Sequence, residues 1–238
     1  MNEPDEPRPK PRRTRADALR NREHILRAAA DLILERGPTT PMELIARKAG
    51  VGIATLYRHF PDRTVLLRQV ALDTLRSSAE VAKSALAEEP DAFTALGRFM
   101  HTAIDLRIGA VMPVLVDRLT MDDELLEARR VCREAHDALA RAAHDEGSLR
   151  PDVTAGDISL LIIRFTPPLA GLLSAENNRR LSHRHLELML DGLLRFLSHE
   201  QLPGPAMSFE ELMEMEAQPD RGYVGAGVGN GPWWTSDS

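Results

Sequence analysis

The feature that most restricts the fold is the segment "AGVGIATLYRHFPD" at residues 49–62, where a glycine turn separates two very short helical patterns. The patterns run from Pro41 to about Ala49 and from Gly52 to about Phe60. Helices of that length are not stable alone in water. They must pack on each other and on further helices, so the segment predicts two crossed helices inside a larger helical protein.

Helical spacing of apolar residues extends over most of the chain. Further helices are predicted over about 17–36, 63–86, 91–108, 111–120, 123–146, 154–173 and 182–199, and no segment alternates as a strand does. Gly37 is predicted to end the first helix, and Thr40 to cap the next one in a capping box with Glu43. Pro167 and Pro168 should kink the helix that contains them. The sequence therefore predicts an all-α fold of about nine helices.

Composition divides the chain into four regions. Residues 1–16 form a proline-rich, basic and disordered arm, 17–64 hold the two short helices (about 41–60), and a helix over 63–86 leads into a body over 87–199. Residues 200–238 are an acidic, glycine-rich tail, also predicted to be disordered. Residues 1–64 carry 13 Lys and Arg against 9 Asp and Glu, although the whole chain has a net charge of −6. A basic front on an acidic body is typical of proteins that bind nucleic acid with one region.

Several classes of protein are disfavoured. The single cysteine, Cys132, excludes an internal disulfide framework, and the sequence holds neither a signal peptide nor a bilayer-spanning apolar run. We therefore expect a cytoplasmic protein without membrane contact. The sequence contains neither a nucleophile elbow nor a phosphate loop, so no motif indicates an enzyme. His101 with Asp105, and Cys132 with His136, are spaced i, i+4, but no further ligands follow at motif spacing, so neither a metal nor a cofactor is expected.

The two short helices meet the demands of a helix-turn-helix. Ala46 supplies the small residue needed where two helices cross closely, and Gly50 supplies a residue that tolerates positive φ in the turn. Ile45, Val51 and Leu56 can bury together beneath the crossing. The remaining face of the second helix is then left exposed for recognition.

The sequence of the helix-turn-helix region is similar to that of a known protein family. The stretch "MELIARKAGVGIATLYRHFPDRTVLL", preceded by "REHILRAAADLILERG", resembles the DNA-binding region of the tetracycline-repressor (TetR/AcrR) family of bacterial transcriptional regulators, over about residues 22–72. Gly52 stands where the family commonly has Ser, Ala54 where it commonly has Gly, and Arg63 where Lys is usual. We expect these departures to change which operator is bound.

The resemblance implies roles for single residues. It assigns DNA phosphates to Thr40, Thr55, Tyr57, His59 and Arg63, and base edges to Ile53, Ala54, Thr55 and Arg58. Arg47 and Lys48 would contact backbone or bases, and Gly52 begins the second helix without a hydroxyl cap. The partner would be a pseudo-palindromic double-stranded operator, bound by a homodimer.

For the body, the resemblance implies an effector pocket and a dimer interface. The pocket candidates are Phe93, Phe99, Met100, Ala103, Leu106, Met112, Leu115, Leu119, Cys132, His136 and Phe165. The interface candidates are Ile158, Leu161, Ile162, Phe165, Leu169, Leu172, Leu186, Leu188, Met189, Leu190, Leu193, Leu194 and Leu197. Methionine and phenylalanine residues at helical spacing belong to an ordinary core more often than to a pocket, and the interface candidates have the same alternative.

The resulting hypothesis is a homodimeric repressor that a small molecule releases from its operator. Two alternatives stay open, namely an activator of the same fold and a helical module that binds another protein in place of DNA.

Overall fold

A computed structural model describes residues 15–166 and 174–193 of the chain. Within those ranges it has nine α-helices, one short 3-10 helix at Val116–Arg118, and no strand. The helices are α1 (Arg15–Arg36), α2 (Met42–Lys48), α3 (Ile53–His59), α4 (Arg63–Glu88), α5 (Ala92–Asp105), α6 (Ile108–Leu115), α7 (Asp123–Asp145), α8 (Ala155–Phe165) and α9 (Ala175–Leu193). The all-α prediction is confirmed.

The long helix α4 organises the packing. Helices α1, α2 and α3 pack together beside its start, while α5, α6 and α7 pack along its remainder. Helices α8 and α9 lie against α5, and α8 also contacts α6 and α7. One apolar cluster runs through the whole arrangement, from Ile25 in α1 to Leu193 in α9. The small N-terminal helices therefore share a continuous core with the body.

Helix starts follow from side-chain caps at most positions. Asp62, Asp91 and Asp122 each accept a hydrogen bond from a backbone N–H in the first turn of α4, α5 and α7, and Thr154 caps α8 in a capping box. The predicted capping box at Thr40 is wrong. Pro41 occupies the N-cap of α2, and the Thr40 hydroxyl donates to carbonyl oxygens of the preceding turn instead.

Helix boundaries differ from the predictions at α5, α6 and α9, and α6 covers Ile108–Leu115 where a helix over about 111–120 was predicted. Helix α5 ends at Asp105 and not near 108, because Arg107 adopts a left-handed conformation with φ of 55° and starts α6 directly afterwards. Helix α9 begins at Ala175 and not near 182, since its first two turns are polar and lack an apolar period. The predicted kink at Pro167 and Pro168, residues 1–14 of the basic arm and the whole acidic tail lie outside the described residues.

Helix α6 is held closely on two sides. A Cβ added to Gly109 would lie 2.9 Å from the backbone carbonyl carbon and oxygen of Ile162, so α6 and α8 approach at a point that only glycine permits. On the other side, the Arg107 guanidinium lies 3.8 Å from the Asp31 carboxylate of α1. Helix α6 therefore links α8 to the N-terminal helices.

No single helix in the two described ranges is long and apolar enough to cross a membrane. Residues Ala92–Asp105 and Ile108–Arg118 satisfy that test only when taken together, and they are bent by 57° at their junction.

Candidate nucleic-acid interface and sensor body

The turn between α2 and α3 depends on Gly50. Its φ is 68°, as predicted for the helix-turn-helix, and its N–H donates to the Arg47 carbonyl at 3.1 Å. The next N–H, from Val51, reaches back to the Ala46 carbonyl at 3.0 Å. These two bonds close α2 and turn the chain, so that Gly52 starts α3 in an extended conformation.

The inner side of α3 is fixed by apolar burial. Leu56 and Phe60 are fully buried and join Ile45 and Ala46 of α2 in the core. Burying a leucine or phenylalanine side chain stabilises a fold by roughly 1.5–3 kcal/mol. The buried side chains therefore set the orientation of this seven-residue helix, and its opposite side is not needed for packing.

The opposite side of α3 is exposed and of mixed chemistry. It presents Gly52, Ile53, Ala54, Tyr57 and Arg58. Ile53 is 39% exposed and Tyr57 is 43% exposed, so both side chains are accessible to a partner. Arg58 donates to the Ala54 carbonyl and to the Thr55 hydroxyl, both at 3.1 Å, so its guanidinium lies along the helix.

Two of the predicted hydroxyl contacts are buried. Thr40 donates to the carbonyl oxygens of Leu32 at 3.3 Å and Gly37 at 2.8 Å, which fastens the turn between α1 and α2. Thr55 is also buried and accepts from Arg58. His59 is half-buried beside the Phe60 ring. The Thr40 hydroxyl, which was expected to contact a DNA phosphate, is therefore engaged within the protein.

Arg63 also differs from its expected role. Its guanidinium donates to the carbonyl oxygen of Pro38 at 3.1 Å and makes a closer bond to that of Thr40. In this arrangement Arg63 ties the first turn of α4 to the turn between α1 and α2. The guanidinium that was predicted to bind phosphate is engaged within the protein.

The neighbouring cations Arg47 and Lys48 differ in their surroundings. Lys48 forms ion pairs with Glu35 at 3.0 Å and Asp31 at 3.4 Å, both on α1. Arg47 is exposed at the end of α2. Sequence reasoning missed the two carboxylates, which lie 13 and 17 residues from Lys48, and no local pattern indicates such a distant pairing.

Most of the predicted pocket residues lie inside the body. Phe99, Met100, Ala103, Leu115, Cys132 and His136 are buried, and Phe93, Met112, Leu119 and Phe165 are partly buried. Leu106 is the exception at 55% exposure, because it follows the end of α5 and points away from the core. That prediction was wrong.

His136 is the centre of a polar cluster inside the apolar body. Its Nε2 lies 2.9 Å from the Ser78 hydroxyl and 3.6 Å from the Cys132 sulfur, and its Nδ1 lies 3.3 Å from the Ser159 hydroxyl. Because Ser159 donates its own proton to the Ala155 carbonyl, it accepts from Nδ1–H, and Nε2 is left to accept from Ser78. Sequence reasoning missed the two serines, which lie on α4 and α8.

Burial controls the ionisation of this cluster. Loss of solvation lowers the pKa of His136 to about 4 and raises the pKa of the Cys132 thiol to about 11. Both groups are therefore neutral near pH 7. No group of three or more His, Cys, Asp or Glu residues in the described ranges is arranged to hold a metal ion.

The predicted interface residues fall into two sets. Ile158, Ile162, Leu186, Leu190 and Leu193 are buried within the protomer, which corrects their assignment to a dimer surface, since they pack on α5, α6 and α8 of the same chain. Met189 is exposed, as is Leu188 at 61%, while Leu161 and Phe165 are half-buried. Leu169, Leu172, Leu194 and Leu197 lie outside the described residues.

Comparison with known proteins agrees with this architecture. Residues 25–70 match the family model for bacterial regulatory proteins of the tetR family, and residues 91–195 match the C-terminal domain of SbtR-like transcriptional regulators. An HTH-type transcriptional regulator from Staphylococcus aureus, SAR0097, is 44% identical over 62 residues, which are 25% of this chain and only 32% of that protein.

Solved structures extend the similarity to both regions. A TetR transcription regulatory protein from Mycobacterium vanbaalenii is 32% identical, with a TM-score of 0.55 over 76% of this chain and 98% of its own. The regulator SCO0520 from Streptomyces coelicolor is 29% identical, with a TM-score of 0.56 over 73% of this chain and 98% of its own. With both its helix-turn-helix region and its helical body matched, the chain belongs to the TetR family of DNA-binding transcriptional regulators.

Proposed function

We propose that the protein is a cytoplasmic homodimeric repressor that binds a pseudo-palindromic operator and leaves it when a small molecule binds in the body. The observation that carries the DNA-binding part is the exposed side of α3, where Ile53, Ala54, Tyr57 and Arg58 lie over a fully buried Leu56. A helix that is fixed from below and exposed above can enter a major groove without losing core contacts.

The contacts that we propose differ in part from those implied by the sequence. Ile53 and Ala54 would meet base edges, with Ile53 against a thymine methyl group. Tyr57, His59 and Arg47 would contact phosphates through their polar ends. Thr40, Lys48 and Arg63 would contribute by holding α1, α2 and α4 together, because their side chains are already bonded within the protein.

The dimer proposal is supported by the exposed apolar residues of α9. Leu188 and Met189 are exposed on α9, and Leu161 and Phe165 are half-buried on α8. A second copy would cover them and would place two α3 helices on one face of the DNA. One short module of this kind buries little DNA surface, so two half-sites are needed for tight binding.

The effector proposal is supported by the polar cluster around His136. Its two ring nitrogens and the hydroxyls of Ser78 and Ser159 are buried hydrogen-bonding groups that an effector inside the body could meet. A small molecule can release the operator only through a difference in affinity between the bound and released conformations. A thermal-shift screen of small molecules against the protein and its H136N variant tests this part, since an effector that uses the cluster should lose its stabilising effect in the variant.

Footprinting on DNA next to the gene tests operator binding, with gel shifts at rising salt. Phosphate binding weakens steeply with salt, whereas the alternative of an apolar protein partner predicts little salt dependence. No protection at low salt by the intact protein would refute the proposal.

The variants I53S and R47A separate the two kinds of contact. We expect I53S to change the preference at one base pair by about 1–3 kcal/mol while leaving nonspecific affinity unchanged. R47A is the matched control, which should weaken binding to all sequences and reduce the salt slope by about one. An equal loss across all sequences in I53S would contradict the role of Ile53.

A further inference from the structure

The packing of α9 on α5 has an apolar centre and a polar edge. Leu186 and Leu190 are buried at the centre, with Leu190 beside Gly97 of α5. At the edge, His101 of α5 meets His183 of α9, 82 residues later in the chain. Neither histidine has a part in the function proposed above.

The two imidazole rings meet edge to edge. Their Nδ1 atoms are 2.6 Å apart, the ring planes differ by 19°, and the ring centroids are 4.9 Å apart. The centroid separation exceeds the nitrogen–nitrogen distance by about two ring radii, which is the geometry of nearly coplanar rings that point at each other. Face-to-face stacking would bring the centroids closer than this for the same nitrogen contact.

The outer nitrogens of both rings are bound to carboxylates. His101 Nε2 lies 2.7 Å from Glu187 Oε1, and His183 Nε2 lies 2.9 Å from Asp105 Oδ1. Asp105 also faces Arg179 Nε at 3.2 Å. Ionised carboxylates only accept hydrogen bonds, so each Nε2 carries a proton and donates it.

The contact between the inner nitrogens then fixes the charge of the pair. A hydrogen bond between two Nδ1 atoms needs one proton, donated by one ring and accepted by the other. With both Nε2 atoms protonated, the pair holds three protons on four nitrogens and one positive charge. Without the shared proton two lone pairs would face each other, and with a fourth proton two N–H groups would oppose each other.

We propose that His101 and His183 form a proton-linked latch that holds α9 on α5 most firmly when the pair carries a single positive charge. Lowering the pH from that point makes two N–H groups oppose each other, and raising it removes either the shared proton or one Nε2 proton. A hydrogen bond of the latch is lost on both sides, so the docking of α9 has a maximum in pH. Histidine is the side chain whose charge ordinarily changes between pH 5 and 8, so the test covers that range. The latch lies within one protomer and does not rest on the proposed dimer.

Other charged groups on the surrounding helices are engaged elsewhere or exposed. Arg98 of α5 pairs with Glu88 and Glu89 at the end of α4, Arg107 before α6 faces Asp31, Glu146 after α7 accepts from the Ala92 N–H, and Asp157 of α8 bonds Thr154. Arg164 of α8 and Arg180 and Arg184 of α9 are exposed. His136 of α7 lies beside Phe99 and bonds two serines. Among the described residues, Asp105 and Glu187 are therefore the charged groups that contact the two rings, and Arg179 contacts Asp105.

Hydrogen exchange of the full-length protein between pH 5 and 8, corrected for the intrinsic rate, tests the latch. The measured quantity is the protection of α9 amides divided by that of α4 amides, which removes any change in global stability. Loss of one hydrogen bond contributes about 0.5–1.5 kcal/mol, so the ratio should fall by about twofold to tenfold on both sides of its maximum. The double variant H101Q/H183Q should show no maximum.

The matched control is H185Q, on the same helix and exposed, which should keep the wild-type profile. Three outcomes would overturn the proposal. The wild-type ratio could change with pH in one direction only, its maximum could survive in the double variant, or its maximum could exist only at high protein concentration. If the double variant does not fold, nitrogen NMR of the wild-type imidazoles decides. Both Nε2 atoms must be protonated, with one proton shared between the Nδ1 atoms, and two neutral rings at the pH of the maximum would refute the latch.

Discussion

Protonation of His136 should destabilise the protein as the pH falls below about 6.5. The folded state binds a proton on this ring only near pH 4, because burial lowers its pKa to about 4 from an unfolded value of 6.5. Between those values the unfolded chain holds more protons than the folded one, so stability rises with pH there. The contribution of the neutral ring is complete above about pH 6.5 and is lost as the pH falls towards 4.

The size of the effect follows from the difference in pKa. Each unit corresponds to about 1.4 kcal/mol, so the full loss is about 3 kcal/mol. Domains of this kind are stable by about 5–15 kcal/mol, so the loss is a large fraction of the total. The hydrogen bonds of the ring do not offset it, since Nε2 accepts the Ser78 proton in the neutral ring and would carry a proton of its own in the charged ring.

Urea unfolding at pH 8, 6.5, 5 and 4 measures this term. The H136N variant cannot gain the charge, so the difference in unfolding free energy between wild type and H136N should shrink by about 3 kcal/mol between pH 6.5 and 4. The H185Q variant, altered at an exposed histidine, should follow the wild type throughout. A difference between wild type and H136N that is constant with pH would refute the reasoning.

Two further predictions concern packing and charge. In the G109A variant the new Cβ would lie 2.9 Å from the Ile162 backbone, so we expect a loss of about 1–3 kcal/mol in urea unfolding. The G97A control, whose Cβ would make an ordinary 3.5 Å contact, should lose nothing, and equal effects would contradict a close approach of α6 and α8. The hydrogen bonds from Arg68 lower the pKa of Asp122 to about 2, so their stabilising effect is present above about pH 4 and is lost as the pH falls towards 2. The R68M variant should therefore unfold at a higher pH than wild type in an acid titration followed by circular dichroism, and superimposable curves would exclude this effect.

Local chemistry made the helix-turn-helix predictable from the sequence. Gly50 and the Phe60-Pro61 step have meanings that depend only on their neighbours, and the predicted limits of α2 and α3 lie within one residue of those observed. Thr40 shows the limit of that approach. Its hydroxyl had two possible sets of partners, and the carbonyl oxygens of the preceding turn lie closer in the folded chain than the expected amides of α2.

Distant pairings could not be predicted in this way. Lys48 meets Asp31 and Glu35 only because α2 folds back on α1, and His101 meets His183 only because α9 returns to α5. An apolar period also does not distinguish a residue that is buried within its own protomer from one that is buried against a second subunit. For this reason the sequence predicted an interface role for core residues of α8 and α9.

The bonds from Arg63 to the turn between α1 and α2 make α4 a rigid arm of the helix-turn-helix. Helix α4 has 26 residues, so it is about 39 Å long. Rotating it by about 5° about its Glu88 end moves its Arg63 end by about 3 Å. In the proposed dimer two such arms set the separation of the α3 helices, which must match the roughly 34 Å between successive major grooves. A rotation of α4 by a few degrees is therefore large enough to change the separation of the two α3 helices so that it no longer matches the spacing of the major grooves.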